Sequence, residues 1–221
     1  MEDWIYKADL RADWMSLIFF INIVIILLMY RLASNRFIGL LNLFSMHYYF
    51  GRFSHEKELN YRSYFNILSF LLITSSLAMA YFSLSHYFPY TLNYSFEFVF
   101  LFMGLLVILS LRFYLFQFIA KQLGFLNPIA PLIYKNFSYA TQLAIYLTAL
   151  LFFKNYSILP ALLFEGIIFL LFTLWLIQQF RIIFPFFRAH LRDVIYIILY
   201  LCAFKIAPWI WIYFMSIETQ L

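Results

Sequence analysis

Long apolar runs alternate with short polar, basic stretches along the chain, and the length of those runs decides what they are. A bilayer core about 30 Å thick takes about 20 helical residues to cross. Six runs answer to that requirement, near 14–30, 64–88, 96–118, 137–153, 160–179 and 194–213, the fourth being short. No internal repeat, low-complexity tract or linker separates them, so residues 1–221 read as a single integral membrane domain. Backbone exposed to lipid must hydrogen-bond within its own segment. The pattern therefore predicts an all-α, polytopic membrane protein of about six transmembrane helices joined as hairpins.

The segments between the spans are not plain polar connectors. "FIGLLNLFSMHYYF" (37–50), "IAPLIY" (129–134) and "RIIFPFFRAHLRDV" (181–194) are apolar and aromatic, yet basic residues flank them. Such segments are expected to lie along the membrane interface, with a shallow re-entrant path as the alternative for 37–50. Arg36, Arg52, Arg112, Arg181, Arg188 and Arg192 are the basic groups placed to reach anionic headgroups. Helix packing in lipid needs small residues where backbones approach. "TSSLAMA" (74–80) supplies Thr74/Ala78 and Ser76/Ala80 at that spacing, which makes the second span the expected centre of the bundle.

Composition agrees with the pattern. Two thirds of the chain is hydrophobic, 11% is charged, and the mean hydropathy is +0.87. That leaves too little polar surface for a water-soluble domain of this length. The net charge of +5 is unevenly placed and reads as an orientation signal, with no implication of nucleic acid. Arg31, Arg36, Arg52, Lys57, Arg62, Arg112, Lys121, Lys135, Arg181, Arg188 and Arg192 fall on one side of the predicted spans. Lys7, Arg11 and Lys154 fall on the other. Eleven against three puts the three basic loops in the cytoplasm and both termini in the periplasm. The N-terminal stretch carries Glu2, Asp3, Asp9 and Asp13, the wrong charge for a signal peptide, so the first span is expected to be retained. A single cysteine, Cys202, allows no internal disulfide or thiolate metal cluster.

Ionisable residues within spans are the candidate chemistry. In "YLCAFKIAPWIW", Lys205 lies roughly 12 Å below the outer boundary, and Glu165 on the preceding span lies at roughly 10 Å. Matched depth on antiparallel neighbours predicts an ion pair, with Glu97 at the start of the third span as a further member. Pro208 leaves the Phe204 carbonyl without its helical donor beside the lysine. The cluster suits a structural pair, a proton or ion relay, or a contact for a partner's span. Enzyme motifs are weak. "HEKEL" (55–59) lacks the second histidine of a zinc-protease helix. His190 and Asp193 share a helix face, yet two groups leave a metal short of ligands. No metal or cofactor is expected.

The tail "VIYIILYLCAFKIAPWIWIYF" resembles the C-terminal signature of a Bacteroidota inner-membrane family known only as a domain of unknown function. The similarity extends to length, an N-terminal tryptophan-containing segment and a basic aromatic loop after the first span. The resemblance places an acidic residue where Lys205 stands, so the chain departs from it there. It implies an inner-membrane location in a diderm bacterium and supplies no activity. Taken with the small loops, it leads us to expect a non-catalytic subunit or accessory factor of an envelope assembly, secretion machinery being one candidate. Its expected partners are the lipid bilayer and other membrane proteins. A small transporter or channel using Lys205, Glu165 and Glu97 is the alternative, and a membrane-embedded lipid-modifying enzyme using His190 and Asp193 is the third.

Overall fold

Uninterrupted apolar sequence becomes uninterrupted helix. A computed structural model describes residues 13–42, 49–51, 63–84, 95–122, 126–157 and 160–189. The helices are α1 (Asp13–Leu32), α2 (Ser34–Leu41), α3 (Tyr64–Ser83), α4 (Ser95–Gln122), α5 (Leu126–Tyr156) and α6 (Ala161–Ala189). Residues 49–51 add one helical turn, and no strand occurs among the described residues. Among the described residues, four stretches are long and apolar enough to cross a bilayer: Trp14–Leu32, Tyr64–Ser83, Ile133–Tyr156 and Leu162–Ile182. Phe98–Tyr114 within α4 is a shorter apolar stretch. The chain is thus an all-α, multi-pass membrane protein. The run at 194–213 lies outside the described residues.

Three boundaries differ from the sequence expectation. The short fourth span, 137–153, is part of a helix of 31 residues. Lys135 and Lys154 interrupt its hydropathy without interrupting its hydrogen bonding. "IAPLIY" is accordingly no separate connector but the first part of α5, with Pro131 accommodated inside the helix. Residues 181–189 likewise continue α6. The run 37–50, by contrast, is not one helix. It is helical to Leu41, and Asn42 is extended at φ −82°, ψ 100°. The last carbonyls of a helix have no partner within it, and here another helix supplies them. Gln142 Nε2 donates to the carbonyls of Leu40 (2.8 Å) and Asn42 (3.3 Å), and the Tyr146 hydroxyl donates to that of Leu41. α5 therefore fixes where α2 stops.

Burial sorts the helices into a centre and a periphery. Of the most apolar stretch of each spanning helix, 61% is buried in α3 and 56% in α5, against 17% in both α1 and α6. The small-residue face of α3 explains its place: Ser69, Thr74, Ser76 and Ala78 are fully buried. Small side chains let neighbouring backbones approach where no water drives association. Their hydroxyls are bonded onto the helix itself or across it, Ser69 to the Phe65 carbonyl at 2.8 Å and Thr74 to that of Phe70 at 3.1 Å. Two apolar clusters stack along the bundle. One gathers Met29, Leu40, Leu72, Ile133 and Phe137. The other gathers Phe19, Ala78, Phe98, Leu147 and Ile168. The first marks the end at which Arg31, Arg36 and Lys135 lie; the second marks the end where α1 and α6 begin.

Candidate functional site

The end at which α1 and α6 begin holds a charged pair beside a cavity. α5 ends at Tyr156 and α6 starts at Ala161. The two helices pack together and set Lys154, two residues before the end of α5, level with Glu165, in the second turn of α6. Lys154 Nζ lies 2.9 Å from Glu165 Oε1, and the side chains are 10% and 12% exposed. The ammonium also donates to the Ser83 carbonyl at 3.3 Å. Ser83 closes α3, and its carbonyl is among those a helix cannot satisfy internally. A cation at this position also answers the partial negative charge of the helix C-terminus. One lysine thus ties α3, α5 and α6 together.

Beside the pair is a half-open cavity of about 370 Å³. Trp14, Phe82 and Phe98 form its aromatic wall, one ring from each of α1, α3 and α4. Trp14 meets Phe82 edge-on at 5.0 Å and Phe98 at 5.2 Å. Met15, Met79 and Leu151 supply further apolar lining, while Ser83, Asn155 and the Lys154–Glu165 pair supply the polar part. At the same end, the Ser16 hydroxyl bonds that of Tyr156 at 2.5 Å and ties α1 to α5.

Deeper in the bundle the polar groups meet each other. The Ser75 hydroxyl donates to Asn22 Oδ1 at 2.6 Å, and Asn22 Nδ2 donates to the Met79 sulfur at 3.8 Å. Ser76 and Thr148 share a hydrogen bond of 2.7 Å between α3 and α5. These bonds join helices, and each group lies at 7% exposure or less.

The opposite end carries an aromatic and basic cluster. The Tyr49 and Tyr134 hydroxyls are 3.2 Å apart, and Arg36 Nη2 donates to Tyr134 at 3.4 Å. The Arg36 guanidinium lies 5.0 Å from the Phe65 ring centre, and Lys135 Nζ lies 5.6 Å from that of Phe50. Burial, then the neighbouring Tyr134, pushes the Tyr49 phenol well above its usual range. Tyr49 packs against Gly39, where a Cβ would come within 2.6 Å of its ring.

Of the residues singled out from sequence, Glu165 lies in the cavity wall, paired with Lys154. Glu97 falls in the first turn of α4. Lys205, Arg52, His190, Arg192 and Asp193 lie outside the described residues, so the anticipated meeting of Lys205 with Glu165 does too. Arg188 is in the last turn of α6. Arg36 is half-buried against Phe65 and Tyr134, Arg112 lies over the adjacent Phe113 ring at 5.9 Å, and Arg181 is exposed on α6. Lys154 is the residue that sequence reasoning passed over, having counted it only as a loop charge. The signal was present: two opposite charges eleven residues apart, straddling a short break between spans.

A family model described as Domain of unknown function (DUF4271) matches residues 15–215. No curated protein and no solved structure matches the chain.

Proposed function

The chain belongs to the DUF4271 family, and from that premise we propose that it is a non-catalytic protein of the bacterial inner membrane, serving as a subunit or accessory factor of an envelope assembly. One observation carries the proposal. Asn22, Ser75, Ser76 and Thr148 spend their polarity joining helices to one another, while α1 and α6 turn apolar faces outward. A body of that kind is cross-tied inside and offers its surroundings surfaces for association. Its basic residues support an orientation with both termini in the periplasm, since cytoplasmic loops carry the excess of Lys and Arg. A reporter fused to the C-terminus is expected to be active only in its periplasm-sensing form, and activity of the cytoplasmic form would overturn that orientation.

The assembly role is tested by purifying the full chain from native membranes in mild detergent. Co-purification of another membrane protein in a fixed ratio is the expected result. Recovery of the chain alone, with transport activity in vesicles, would replace this reading with the transporter.

A further inference from the structure

We propose that the cavity beside Lys154 and Glu165 binds the headgroup of a zwitterionic aminophospholipid, the phosphate on Lys154 and the ammonium on Glu165. The volume, about 370 Å³, is within the range of small-molecule sites, and the mixture of apolar wall and few polar groups is typical of them. The ion pair determines the ligand class. An ammonium carries three donors. Lys154 commits one to Glu165 and one to the Ser83 carbonyl, which leaves a third for a phosphate oxygen. The Glu165 carboxylate accepts from Lys154, and its negative charge at the cavity wall attracts a ligand's cation. A purely anionic headgroup would gain from the lysine and be repelled by the glutamate 2.9 Å away. A zwitterion answers both charges and turns the pair into an alternating set of four.

The wall fits the rest of such a molecule. Trp14, Met15 and Phe82 are the partly exposed apolar residues of the lining; the aromatic rings suit the ammonium and the methionine suits the glycerol and the upper acyl chain. The site lies where α1 and α6 begin and α3 and α5 end, at one end of the four apolar stretches, and the ends of spanning helices are where a bilayer presents its headgroups. Binding here stands independently of any protein partner, because it uses one end of the bundle and needs no second chain.

The test uses the purified full chain in vesicles of phosphatidylethanolamine, phosphatidylglycerol and phosphatidylcholine in equal parts. Native mass spectrometry then reads the lipid retained after stepwise delipidation. The wild type is expected to retain phosphatidylethanolamine about tenfold over the other two, the scale of one charged hydrogen bond. Phosphatidylglycerol lacks the cation, and phosphatidylcholine has a cation without N–H donors. Two variants probe the site, each read only after its melting temperature shows a folded protein. Exchanging the charges, Lys154→Glu with Glu165→Lys, keeps a pair and reverses its direction. Ser83→Phe fills the cavity and leaves both charged residues in place. Each is expected to abolish the preference. Equal retention of the three lipids by the wild type, or an undiminished preference in either variant, overturns the proposal.

Discussion

A lysine and a glutamate at about a tenth exposure each, 2.9 Å apart, form a bond whose loss is expected to exceed its net worth. Two charges leave water at a cost of several kcal/mol each, and mutual attraction offsets it only while both are present. Glu165→Gln keeps the shape and leaves the Lys154 ammonium with an amide and one carbonyl. It is expected to lower stability in detergent by about 3 kcal/mol, and adding Lys154→Met is expected to restore part of that loss. A thermal-unfolding series of the wild type, single and double variants reads it directly; a double variant no better than the single would show that the charges act separately. Tyr49 is the residue with a pH signature. Its folded phenol holds its proton above the ordinary value of 10.0, whereas the unfolded phenol releases it there. The unfolded state therefore binds fewer protons above pH 10, and stability falls as pH rises beyond that point. Tyr49→Phe is expected to flatten this alkaline decline in a melting-temperature profile.

Among elements, α2 depends on its neighbours more than on its own eight residues, too few for a stable isolated helix. Phe37 and Leu40 bury its apolar face, Gln142 and Tyr146 take its last carbonyls, and Tyr49 covers Gly39. Gly39→Ala puts a methyl where the ring lies and is expected to lower stability by about 1–3 kcal/mol. Gly166→Ala on α6, which meets nothing within 4 Å, is expected to be neutral or to stabilise by up to about 1 kcal/mol. Melting the two variants side by side decides whether close approach is the cause. The same elements show what could be read from the chain. The runs that begin near 14, 64, 137 and 160 were legible as helices long enough to cross a bilayer, because hydropathy marks helices in lipid, and "TSSLAMA" marked α3 as central because small residues are needed there. The end of α2 was not legible, since it is set by side chains about a hundred residues away on α5. The start of α5 was hidden by Lys135, a charge that breaks a hydropathy window and leaves a helix intact. Glu165 was legible as a charge within a span, whereas its partner Lys154 was not, because the hydropathy pattern ends the fourth span at 153 and the helix runs on to Tyr156.

For the whole molecule, the arrangement is a cross-tied bundle with α3 and α5 inside and α1 and α6 outside. Polar side chains lie between helices, basic groups collect at one end, and a charged, aromatic-walled cavity opens at the other. The claim that joins these features is that the outward faces serve association with another membrane protein. A photo-reactive residue in place of Phe169 on α6, 76% exposed, tests it in living cells without detergent. The account predicts a discrete cross-linked species containing one other membrane protein, formed on irradiation and absent without it. Adducts to lipid alone, with no protein captured at Phe169 or at Phe20 on α1, would contradict it.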